Sequence, residues 1–278
     1  PLHASGSTTI NNRALSLAAD QNALAIGRSD SSVRAVDAVV DVYNLSPLYQ
    51  ASPAQPTFVT FVQQDSTFGD PGRGIAGFTS IALEDDVLAT GAKLFSINTL
   101  SPASVTALAA QCSVGHAAIA LAGRTLYMAN DDNGADNYII DCDLSTGTPH
   151  SVGATVNGQA SHRLVAAGPY LYAEGQTVLE VYDISTPLDM HFLASLKGVG
   201  GSGCVESSFE DNSLLGDVAV DGHRAFYSAG CAASVQVVHT GEPQNLEAVA
   251  SEGVPAAGNT AKWVGDAIIQ PNTLQGAT

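Results

Sequence analysis

Positive charge is scarce in this chain. Ten Lys and Arg residues stand against 27 Asp and Glu, for a formal net charge of −17. Lysine occurs only at Lys93, Lys197 and Lys262. That balance excludes nucleic acid as a main partner, because phosphates need a basic face. Long apolar runs are missing too. No stretch approaches the roughly 18 residues that a membrane-spanning helix requires. Trp263 is the single tryptophan, which argues against a broad aromatic platform for sugars. No two cysteines form a CxxC pair, so a zinc site or a thioredoxin motif has no support. The motifs GxSxG, HExxH and GxxxxGK[ST] are absent, as is an aspartate box of the sialidase type. The start at Pro1 shows no basic segment ahead of an apolar one. A signal peptide is therefore expected to be absent or already removed.

Apolar residues are plentiful, at 45% of 278 positions, with 13% charged. That composition excludes wholesale disorder and allows a sizeable core. The apolar residues recur in a repeated unit. Residues 119–128 read IALAGRTLYM, 164–172 read LVAAGPYLY, and 218–227 read VAVDGHRAFY. Weaker copies lie at 15–26, 81–89 and 263–269. Each is two short alternating runs around a Gly, Asp or Asn turn, which is the pattern of a β-hairpin. After each of the first five copies come a third apolar run, a Ser/Thr/Pro turn and a fourth run. The turn residues Asp85, Gly123, Gly168, Gly222 and Asp266 succeed one another at about the 40–50-residue period of a propeller blade.

The expected fold is an all-β propeller of four-stranded antiparallel blades. Six blades are expected, five complete and one composite or partial. Their spans are 14–64, 79–112, 117–156, 162–198, 216–252, and 260–278 closed by 2–10. Closure follows from the cost of leaving a bare strand edge. Tyr127, Tyr172, Phe226 and Tyr227 recur in the second strand and read as core between blades.

One blade resembles a known family. Residues 171–175 (LYAEG), 178–187 (VLEVYDISTP) and 191–196 (HFLASL) resemble the LVIVD-type repeat of bacterial secreted and surface propellers. Residues 42–47 (VYNLSP) echo the same turn. The resemblance implies a secreted or cell-surface propeller and implies no activity.

Three places could carry chemistry. The inner-strand register brings His116, His162, Arg163 and Asp217 to one mouth of the channel. Two histidines and an aspartate there could bind a metal or act as acid and base. The plainer expectation is an Arg163–Asp217 ion pair that ties blades together. The loop with Asn130, Asp131, Asp132, Asn133 and Asp136 offers oxygen ligands of the kind calcium takes. It also reads as an ordinary Asn/Asp/Gly turn. Cys204 and Cys231 fall on one expected face and suit a disulfide. Cys112 and Cys142 stand at less compatible heights. The leading functional expectation is a non-enzymatic module that binds a protein or glycan at the cell exterior. The alternatives are a propeller hydrolase or lyase acting at the mouth, and a subunit of an extracellular assembly completed by strand exchange.

Overall fold

The computed structural model describes residues 14–30, 37–63, 81–90, 93–99, 104–108, 112, 118–129, 138–146, 148–154, 163–174, 178–197, 217–221, 223–229, 234–253, 262–264 and 267–269. These form antiparallel strands almost throughout. The first sheet holds β1 (Ala14–Ala19), β2 (Ala23–Asp30), β3 (Asp37–Asn44) and β4 (Thr57–Gln63). The second holds β5 (Ile81–Glu84), β6 (Val87–Thr90), β7 (Lys93–Asn98) and β8 (Ser104–Ala107). The third holds β9 (Ala118–Ala122), β10 (Thr125–Ala129), β11 (Tyr138–Asp143) and β12 (Thr148–Ala154). The fourth holds β13 (Arg163–Ala167), β14 (Tyr170–Glu174), β15 (Val178–Asp183) and β16 (His191–Lys197). The fifth holds β17 (Asp217–Asp221), β18 (Arg224–Ala229), β19 (Ser234–His239) and β20 (Glu247–Gly253). A sixth sheet, among the described residues, has only β21 (Lys262–Val264) and β22 (Ala267–Ile269). Each four-stranded sheet is a simple meander, the blade unit of a β-propeller. The segment 2–10, expected to close the last blade, lies outside the described residues.

The turns explain why the hairpins form. Asp85, Gly123 and Gly168 each take a positive φ, of 52°, 57° and 58°. A tight hairpin needs that conformation at its turn, and Gly or Asp adopts it at least cost. A Cβ at Gly168 would meet nothing within 4 Å, so only the dihedral selects glycine there. A 3₁₀ helix, Ser46–Tyr49, fills the long connection from β3 to β4.

The chain divides into two compact units, one of residues 1–126 and 144–149, the other of 127–143 and 150–278. Within the first unit, β1 and β2 pack on β5, β5 packs on β9, and β4 packs on β8. Ala25, Val40 and Val42 of sheet one meet Ile81, Leu88, Phe95 and Ile97 of sheet two. Within the second unit, β13 and β14 pack on β17, and β17 packs on β21. Tyr172, Leu179 and Val181 of sheet four meet Val218, Ala225 and Val238 of sheet five. In each unit the first strands of successive sheets touch, as the inner strands of blades do. Tyr127, Tyr172 and Phe226 are all buried.

One irregularity recurs. In sheet one the register shifts between Val42 and Tyr43, which face Thr60 and Phe58 and leave Val59 as an extra residue. Sheet four does the same between Val181 and Tyr182, with Leu193 extra. Sheet five repeats it between Val237 and Val238, with Val249 extra. This is a β-bulge at one place in the fourth strand of three blades. It increases local twist and changes which side chains share a face.

Candidate functional site

Of the expected mouth residues, Arg163 opens β13 and Asp217 opens β17, on first strands that pack together. His116 and His162 lie outside the described residues. So do Asn130, Asp131, Asp132, Asn133 and Asp136 of the expected calcium loop, and Cys204 and Cys231. Among the described residues, no group of three or more His, Cys, Asp or Glu is placed to hold a metal ion. Directly across the ladder from Arg163 stands Glu174, a fully buried carboxylate. Sequence reasoning passes over Glu174, because it sits inside the LYAEG run that reads as repeat.

Sheet four buries a second carboxylate, Glu180, at 2% exposure. The Tyr182 hydroxyl donates to Glu180 Oε2 at 2.6 Å. Burial of a charge is tolerable only with such donors. On the other face of β14, burial pushes the Tyr172 phenol above its ordinary value, and the nearby Thr240 hydroxyl pulls it partly back. The two described cysteines correct an expectation. Cys112 and Cys142, expected at less compatible heights and as the less favoured pair, are both buried and both disulfide-bonded. Cys112 sits in a connection rather than a strand, so strand counting does not give its height.

The turns between first and second strands and between third and fourth strands share one edge of each sheet. Two junctions on that edge differ informatively. At the end of β3, Asn44 Oδ1 accepts the Ser46 N–H at 2.8 Å, and Asn44 Nδ2 donates to the Thr99 carbonyl of sheet two at 3.1 Å. The matching residue of sheet four is Asp183, whose Oδ1 accepts the Ser185 N–H at 2.8 Å. An ionised aspartate has no proton to donate across a junction. An open cleft of about 300 Å³ lies there, lined by Tyr170, Asp183, Leu193, Glu242, Pro243 and their neighbours. The Ser185 hydroxyl and N–H, with a smaller contribution from His191, hold the Asp183 carboxyl below its ordinary value. Asn245 Nδ2 donates to Glu242 Oε2 at 3.3 Å. The cleft offers carboxylates and amides to a hydrogen-bond donor. Its lining contains no nucleophile beside a base.

No protein-family model matches the chain, and no curated protein matches it. Among solved structures it is similar to a WD40-type propeller chain in a crystal structure of a mitotic checkpoint complex, with a TM-score of 0.56 at 12% identity. The match covers 92% of this chain and 69% of that one. At that identity the likeness concerns the fold. Together with the stacked four-stranded meanders it makes the chain a β-propeller. No described helix is long and apolar enough to cross a membrane.

Proposed function

We propose that the chain is an extracellular propeller that works as a protein-binding module. The observation that carries this reading is the repeated meander scaffold, whose structural neighbour is a propeller inside a multi-protein complex. Propellers serve many functions, so the fold sets only a prior. The bonded Cys112 and Cys142 support an oxidising compartment, since disulfides persist outside the reducing cytosol. The repeated Tyr-Asx-aliphatic-Ser turn of sheets one and four supports kinship with surface propellers of the LVIVD type. The last sheet, two-stranded among the described residues, is completed in this reading by residues 2–10 or by a strand from an assembly partner. At the channel mouth, Arg163 and Asp217, which open first strands that pack together, serve in this reading as a structural tie between blades.

The test is native purification under non-reducing conditions, with chemical cross-linking and mass spectrometry. A protein retained at stoichiometric amount, and Cys112 and Cys142 recovered in disulfide-linked peptides, are the expected results. Free thiols at both cysteines would remove the extracellular reading. Turnover of a small molecule that Asp217→Asn abolishes at unchanged melting temperature would replace the module with an enzyme.

A further inference from the structure

The outer strands of the blades are not alike. An exposed outer strand is a template for pairing with another chain, and proteins blunt such edges with charge, proline or shortness. β8 is four residues long. β12 carries Pro149, β16 carries Lys197, and β20 carries Glu247 and Glu252. β4 has none of these devices. It is seven residues long, reads TFVTFVQ, and holds no charge and no proline. Among the described residues β4 pairs only with β3.

Its side chains add a second observation. The bulge at Val59 puts Phe58 opposite Tyr43 and Phe61 opposite Asp41, so both phenylalanines fall on one face despite odd spacing. Phe61 is 56% exposed and Phe58 39%. The same place in sheet four, opposite Glu180, is held by Ser195. A large aromatic at an open edge, where the sister blade keeps a serine, costs solubility unless something covers it.

We propose that β4 is a docking edge, to which an extended, basic segment of a protein partner adds as a further strand while packing on Phe58 and Phe61. Main-chain hydrogen bonds supply the affinity of such strand addition, and alternate side chains supply the choice of partner. The charge of the chain selects the partner's sign. A second copy brings another −17 and is repelled, whereas a basic segment is attracted. The proposal rests on the protein-binding reading and narrows it to one strand.

The experiment uses the full chain and a labelled synthetic peptide of alternating lysine and valine, followed by fluorescence anisotropy. The control peptide has glutamate for lysine. The lysine peptide is expected to bind, more weakly as salt rises, and the glutamate peptide is not. Phe61→Ser, copying sheet four, weakens binding about tenfold at unchanged melting temperature. Thr57→Lys, which puts a cation on the exposed start of β4, does the same by repulsion. Phe192→Ser on sheet four leaves binding unchanged. Failure of the lysine peptide to bind, equal binding of both peptides, or full binding by Phe61→Ser overturns the proposal. So does a wild-type dimer that Phe61→Ser dissolves, which would make the occupant a second copy. If the native partner stays on Phe61→Ser, the module reading survives and the assignment to β4 falls.

Discussion

Sheets one and four are built on the same local plan and covered differently. Both end their third strand in Tyr-Asx-aliphatic-Ser, with the Asx side chain accepting the Ser46 or Ser185 N–H at 2.8 Å. Both carry the bulge one position earlier. Both stand a phenylalanine edge-on to that tyrosine, Tyr43 to Phe58 at 5.6 Å and Tyr182 to Phe192 at 5.7 Å. Yet Leu164 in sheet four is 6% exposed, while its counterpart Leu17 in sheet one is 40% exposed. Ser195 and Phe61 differ in the same row. A device made from residues near in sequence is copied faithfully from blade to blade. What lies over the sheet is not copied, because it comes from segments distant in the chain.

The largest expected effect sharpens that contrast. Leu164→Ala should lower unfolding free energy by about 3 kcal/mol, through lost burial and a cavity. Leu17→Ala should cost about 1 kcal/mol or less, since much of that side chain already meets water. Urea unfolding of both variants measures it, and equal costs would mean that Leu17 is covered in solution. Tyr182→Phe comes next. It removes one donor to a carboxylate that stays buried, and should cost about 2 kcal/mol. Glu180→Gln together with Tyr182→Phe should recover part of that loss, because no charge is then left buried.

Smaller effects test the shared plan itself. Phe58→Ala and Phe192→Ala each lose an edge-to-face partner, worth about 1 kcal/mol beyond the area involved. Melting shifts of similar size are expected. A cost confined to one sheet would break the equivalence. Asn44→Asp should lose about 1 kcal/mol at neutral pH, because the amide that donates to Thr99 is gone. Asp183→Asn acts through pH. The Asp183 carboxyl is held low in the folded chain, so its stabilising effect is present above the ordinary aspartate value and disappears as pH falls through the lowered one. The variant keeps the oxygen that accepts the Ser185 N–H and should lose this part of the acid dependence. Melting curves at stepped acidic pH decide it, and an identical acid limb in wild type and variant would show that Asp183 contributes nothing.

Much of the scaffold is legible in short stretches of the chain. The hairpins are legible because Asp85, Gly123 and Gly168 are residues that tolerate a positive φ at the places where apolar alternation breaks. The turn of sheet four is legible in VYDISTP, since an Asx followed two residues on by Ser invites the observed bond. The bulges at Val59, Leu193 and Val249 are not legible. Alternation with period two gives the same pattern whether one residue or two oppose a partner. Glu174 escapes notice because a lone acid at a strand end usually reads as solvent-facing. The cleft beside Asp183 escapes it because two turns roughly 60 residues apart in sequence wall it.

The sequence by itself determined the strand order, the hairpin turns and the two aromatic–Asx turns, because each depends on residues within a few positions of one another. Only the tertiary structure decided which carboxylates are buried, that Cys112 and Cys142 are bonded, that an amide closes one junction while an aspartate lies beside a cleft at another, and that β4 presents two phenylalanines on one open face. Those outcomes depend on what packs across a sheet from distant segments, and burial at long range leaves no periodic mark in a chain.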